Sequence, residues 1–133
     1  MSRDPKRLKV FGLADDLVVE LYRVTRGFPA EEQFGLQSQL RRAAVSVPTN
    51  IVEGCARRST RDYLHFLTLA LGSAAEAHYL LRLAARLGFL SDNEQIATRY
   101  LDLIRALQSL VTAIARTLDK EEYRRHQPPT PEP

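Results

Sequence analysis

Apolar residues recur at steps of three and four through four stretches of this chain, and a cluster of helix breakers separates each stretch from the next. That period matches one face of an α-helix and is incompatible with the two-residue alternation of a half-buried strand. The first stretch carries Val10, Ala14, Leu17, Val18, Leu21 and Tyr22, with Gly27 placed to end the helix as its C′ residue. The second carries Leu40, Ala43, Ala44, Val47, Ile51 and Cys55. The third reads as Phe66, Ala70, Ser73, Ala77, Leu80 and Ala84, and the fourth as Ile96, Tyr100, Leu103, Leu107, Leu110, Ile114 and Leu118. The breakers are Gly27-Phe28-Pro29, the region from Gly54 to Thr60, and Gly88-Phe89-Leu90-Ser91.

Short connections make consecutive helices antiparallel neighbours, so the expected fold is all-α: an antiparallel up-down-up-down four-helix bundle. Ser59-x-x-Asp62 and Ser91-x-x-Glu94 read as capping boxes opening the third and fourth helices. Residues 1–9, with Arg3, Lys6, Arg7 and Lys9 against Asp4, form a basic N-terminal tail; residues 10–124 form the bundle; residues 125–133 form a Pro-rich tail. Four of the seven residues Gln127–Pro133 are proline, which prevents helix or sheet there and favours an extended chain. At 133 residues, 44% hydrophobic and 26% charged, the chain has the size and composition of one globular domain.

Pro48 interrupts the second stripe at its middle. A proline there removes one backbone donor and costs about 3 kcal/mol. The apolar register is nonetheless the same on both sides, so one proline-kinked helix from about Pro29 to Arg57 is expected. Pro29 would occupy its first turn, and Ser46 and Thr49 would serve backbone groups freed by the bend. Beside the apolar stripe runs a polar one, Arg42, Ser46, Asn50, Glu53 and Arg57. It has two readings: a ligand-gripping site at the bend, or a structural network in which Arg42, Asn50 and Glu53 satisfy one another. Glu76, at the edge of the third apolar arc, would take Arg41 or Arg42 as its partner.

The third stretch is unusually apolar. Tyr63–Leu90 contains three charged residues, Glu76, Arg82 and Arg86, and a helical wheel puts Leu64, Leu71 and Ala75 on the side away from the bundle. A helix apolar on two faces calls for burial on both, so Leu64, Leu71 and Ala75 are the expected contact of a homo-oligomer.

Catalytic patterns are missing from the residues. His65, His78 and His126 lack metal-ligand spacing, Cys55 reads as a small packing thiol, and the six glycines are too dispersed for a phosphate loop. Neither a catalytic residue, a metal nor a cofactor is expected. The single cysteine excludes an intramolecular disulfide, and the longest uncharged run in the third stretch, the 13 residues Tyr63–Ala75, is too short to span a bilayer. A cytoplasmic protein without a membrane partner is the expectation. Net charge is +3, from 19 Lys+Arg against 16 Asp+Glu. Arg57, Arg58 and Arg61 crowd the second turn and Arg41 and Arg42 lie on the second helix, making these five the candidate nucleic-acid contacts. Few aromatics lie near them in sequence, so base stacking is not indicated.

The run Ser38–Gly54, with Phe28-Pro29, Glu32 and Phe34-Gly35-Leu36 before it and Tyr63, Phe66-Leu67, Ala70, Gly72-Ser73 and Glu76 after it, resembles the 23S rRNA intervening-sequence protein family of four-helix bundles. The likeness runs from about Val10 to Leu118. Leu71 departs from it, standing where that pattern has a basic residue. The chain is similar also to the accessory variability proteins of diversity-generating retroelements. These resemblances imply a non-enzymatic bacterial protein, a homopentamer with a basic surface repeated around its ring. They further imply RNA or DNA as partner, and a protein partner such as a reverse transcriptase. The alternative is a protein-interaction scaffold with no nucleic-acid role.

Overall fold

The computed structural model describes residues 3–91 and 95–133, and they form four α-helices and no strand. These are α1 (Lys9–Thr25), α2 (Leu36–Cys55), α3 (Thr60–Arg86) and α4 (Ile96–Arg125), with short 3-10 turns at Pro5–Arg7 and Ala30–Glu32. The expected stripe of α2 is buried throughout, from Leu40 to Cys55. The helices close around Leu17, Leu21, Leu40, Ile51, Leu67, Leu81, Ile96, Leu103 and Leu107, all nearly inaccessible. Facing positions on α2 and α3 run in opposite senses: Gln39 meets Glu76, Ser46 meets Ser73, and Gly54 meets Phe66. α4 packs on α3 and α1 but not on α2, so α2 and α4 are diagonal. Ion pairing of Arg99 with Glu20 and a hydrogen bond from Thr60 to Glu121 at 3.0 Å tie α4 to its two neighbours.

Local chemistry sets the helix ends. Ser59 accepts from the Asp62 amide at 3.1 Å, as its spacing predicts. The second capping box ends at Glu94, outside the described residues, and α4 begins at Ile96. α3 stops in a Schellman arrangement. Gly88 takes φ +81°, the Phe89 amide donates to Ala84 at 2.9 Å, and the Gly88 amide donates to Ala85 at 3.0 Å.

Three expectations need correction. The second helix starts at Leu36 rather than Pro29, and ends at Cys55 rather than Arg57. Pro29 precedes a separate 3-10 turn, and Glu32 reaches forward from that turn to accept from the Leu36 amide at 3.0 Å. A Cβ on Gly35 would sit 2.8 Å from that carboxylate oxygen, so glycine is the residue that leaves room for the cap. Past Pro48 the helix continues unbroken. Thr49 donates to the Val45 carbonyl at 2.7 Å and Asn50 donates to the Ser46 carbonyl at 2.8 Å, which supplies donors around the missing proline N–H.

The core face of α3 is Tyr63, Leu67, Ala70, Ala74, Ala77, Leu81 and Ala84, an uninterrupted four-three alternation. Phe66 and Ser73, taken from sequence as core, lie half-buried at its margin on the α2 side. The same rotation moves Leu64 and Leu71 from the far face to the margin of the bundle. Both are half-buried, and Leu71 packs against the core, whereas Ala75 is exposed.

Residues 3–8 belong to the folded unit rather than to a free tail. The Arg3 amide donates to the Cys55 carbonyl at 3.1 Å, its guanidinium lies 3.9 Å from the Tyr63 ring centroid, and Asp4 caps the Lys6 amide at 3.0 Å. This segment covers the C-terminal end of α2. No helix among the described residues is long and apolar enough to cross a membrane.

Candidate ligand groove

The junction of α1 and α2 is organised by Arg41. Thr25, at the last position of α1, is fully buried and its hydroxyl donates back to the Leu21 carbonyl at 2.8 Å. Arg41 Nε donates to that hydroxyl at 3.0 Å, and one terminal nitrogen donates to the Tyr22 carbonyl at 3.3 Å. Orphan carbonyls at the negative end of α1 thereby gain a cation. The guanidinium also lies 4.4 Å from the Tyr22 ring centroid, which holds that ring at the edge of α2.

Beyond this clamp the α1–α2 connection folds over the bundle end. Phe28 is buried against Phe89, with ring centroids 5.7 Å apart. Phe34 points outward and is 89% exposed. Between Tyr22, Phe34 and the outer face of α2 lies an open groove of about 1010 Å³. Gln37, Ser38, Val45 and Thr49 contribute its α2 side, and Arg26, Arg41 and Arg42 line it. No carboxylate, imidazole or thiol does. Such a surface has cations for an anionic chain and aromatic faces for planar or apolar groups, without the acid–base pairs of catalysis. Among the described residues no group of three or more His, Cys, Asp and Glu could hold a metal ion.

The expected polar residues separate into different places. Asn50 donates to Ser46, whose hydroxyl shares a 2.8 Å bond with Ser73 of α3. Glu76 accepts from Gln39 at 3.5 Å, not from Arg41 or Arg42. Glu53 is exposed and joins neither group. Arg42 stands on the ridge between the groove and a smaller pocket of about 390 Å³ that holds Gln39, Ser46, Ser73 and Glu76. Around the second turn, Arg61 pairs with Glu122, Arg57 lies 4.8 Å from the Phe66 ring centroid, and Arg58 is exposed. Acids from α4 thus offset part of the positive charge expected there.

Cys55 is buried next to Tyr63. Desolvation pushes its thiol up, Arg3 partly offsetting this, so the thiolate is disfavoured.

Sequence reading found Arg41 and Arg42 but missed Tyr22, Arg26 and Phe34 as their companions. Aromatics do lie beside the basic residues, brought there by tertiary contact rather than by proximity in the chain. The one local signal was Phe34, a large apolar residue set among Glu31, Glu32, Gln33 and Gly35.

A solved structure from Bacteroides thetaiotaomicron VPI-5482, described as a protein with unknown function from the S23 ribosomal protein family, has the same fold. Its TM-score is 0.71 at 24% identity, over 77% of this chain and 95% of that one. No curated protein matches significantly. The 23S rRNA-intervening sequence protein family matches residues 6–113, from the N-terminal 3-10 turn into α4. The chain belongs to the 23S rRNA-intervening sequence protein family.

Proposed function

We propose that this protein is a non-enzymatic, homo-oligomeric binding protein that holds a single-stranded stretch of nucleic acid in the α1–α2 groove. One observation carries the reading: three arginines and two exposed aromatics line a single groove that contains no acid. Arg26, Arg41 and Arg42 would track phosphates, and Phe34 and Tyr22 would stack on bases. The family is named for an intervening sequence of 23S rRNA, which makes RNA the first ligand to test. Assembly into a ring, a pentamer by the resemblance noted above, would repeat the groove and multiply weak contacts.

Fluorescence anisotropy of labelled single-stranded RNA, single-stranded DNA and duplex RNA, over a salt series, tests it. Three phosphate contacts give a slope of log K against log salt of about −2 for a single strand. Arg26→Ala with Arg42→Ala should bring that slope to roughly −0.7. These two are chosen because Arg41 also holds α1 in place. Phe34→Ala should cost about 1–3 kcal/mol if a base stacks there. Absence of binding at low salt, or a slope that ignores the arginines, overturns the reading.

A protein-interaction scaffold is the second reading, favoured by Phe34 and Val45 exposing apolar surface in the same groove. It expects binding of a partner to fall with Phe34→Ala and to survive loss of Arg26 and Arg42. Light scattering measures the assembly, and a monomeric mass at micromolar concentration would remove the ring.

A further inference from the structure

We infer that the proline-rich segment Pro128–Pro133 of one copy seats in the α1–α2 groove of a second copy and competes there with other ligands. The segment follows α4 directly. The His126 ring bonds the Glu122 carbonyl at 2.7 Å and the Gln127 amide meets the Arg124 carbonyl at 3.4 Å. Beyond these, residues 128–133 lie outside any helix or turn and are exposed, without a hydrogen bond. Prolines at 128, 129, 131 and 133 hold them near polyproline II, which is preformed and loses little entropy on docking.

Three features of the groove match that segment. Polyproline II rises about 3.1 Å per residue, so six residues span roughly 19 Å. The α2 side of the groove runs from Gln37 to Thr49, twelve steps of about 1.5 Å, or roughly 18 Å. Tyr22 and Phe34 provide the exposed aromatic faces against which such helices seat their prolines. Glu132 is the one charged residue among Pro128–Pro133, and the groove offers it three arginines and no acid.

Geometry makes the contact intermolecular. α4 touches α1 and α3 but not α2, and its last turns lie beside Thr60, at the end of the bundle away from Phe34. Pro133 is eight residues past Arg125, roughly 25 Å at 3.1 Å per residue. Crossing the diagonal of the bundle to the outer face of α2 consumes most of that reach, with packed helices about 8–10 Å apart. Assembly of copies would raise the local concentration of such segments.

The test uses full-length protein. A copy with Thr130→Cys carries a nitroxide on the new, exposed cysteine, while buried Cys55 stays unlabelled. It is mixed with isotopically labelled copies free of the nitroxide. Expected is loss of amide peak intensity at Phe34, Gln37 and Val45 of the isotope-labelled copies. The loss should vanish when those copies carry Phe34→Ala, provided that their spectrum stays dispersed. It should also vanish when Pro128→Gly and Pro131→Gly are placed in the nitroxide copy. No intensity loss between residues 34 and 49 of the isotope-labelled copies, or a loss that persists with Pro128→Gly and Pro131→Gly in the nitroxide copy, overturns the inference. The measurement contains no nucleic acid, so its failure leaves the proposed function standing. Adding a bound oligonucleotide afterwards should restore the intensities if the two share the groove.

Discussion

Gly54 and Gly72 lie on the two helices that face each other most extensively, and the same substitution should move stability in opposite directions. A Cβ at Gly54 would stand 2.9 Å from Cβ of Phe66 and 3.3 Å from Cδ1 of Tyr63. Both neighbours are rooted on α3, and the closer atom is the first of its side chain, so it cannot swing away without α3 moving. Overpacking of this kind costs about 1–3 kcal/mol. The helix-propensity gain of alanine over glycine is at most about 1 kcal/mol and smaller in a last turn, where Gly54 sits. Gly54→Ala should therefore destabilise by about 1–2 kcal/mol. At Gly72, in the middle of α3, a Cβ meets nothing within 4 Å. Only the propensity term remains, so Gly72→Ala should stabilise by about 1 kcal/mol. Urea unfolding followed by far-ultraviolet circular dichroism reads both, and thermal midpoints should separate by several degrees. A Gly54→Ala protein as stable as its parent would refute the close α2–α3 approach. A Gly72→Ala protein that loses stability would mean that another helix lies on that surface, and the loss should then depend on protein concentration.

Arg41→Ala should cost about 1–2 kcal/mol by removing the cation's hydrogen bonds to the Thr25 hydroxyl and the Tyr22 carbonyl, and Arg41→Lys should recover only part of it, because an ammonium does not reproduce the planar guanidinium against the Tyr22 ring; urea unfolding checks each. Tyr100 buries its hydroxyl without a partner among the described residues, so Tyr100→Phe should raise stability by about 1 kcal/mol in the same assay. Burial pushes Cys55, Tyr63 and Tyr100 upward, so the unfolded chain ionises first: the contribution of these three groups is complete below about pH 8 and declines as pH rises through about 9–11, and Tyr100→Phe should flatten that decline. His78 is held low, first by desolvation and then by Arg82, so the unfolded state takes up its proton first. Stability is then lost as pH falls from about 7 to 5, a slope that His78→Gln should reduce in unfolding curves taken across that range.

The four helices were legible because a 3.6-residue period is a local property, repeated often enough to survive errors at single positions. The α2 stripe from Leu40 to Cys55 and the Ser59 cap needed nothing beyond their own neighbours. α3 was misphased for a related reason. Its residues are apolar nearly all round, so several stripes fit, and only contact with α2 and α4 selects Leu67, Ala74 and Leu81 over Phe66 and Ser73. The start of α2 turned on how Glu32 reaches past Gly35 to the Leu36 amide, a geometry that Pro29 and the acidic pair Glu31 and Glu32 do not specify by type alone.

By itself, then, the chain's pattern determined the helices, most of their buried residues and the family. Tertiary structure alone decided the groove. Tyr22, Arg26, Phe34, Arg41 and Arg42 belong to two helices and the connection between them, and no period in the sequence links them. They share a surface because Arg41 reaches across to the end of α1 while Phe28, buried against Phe89, anchors the connection that leaves Phe34 outside. Periodicity records which side of a helix avoids water; which groups from different helices converge depends on packing, which follows only after the helices meet.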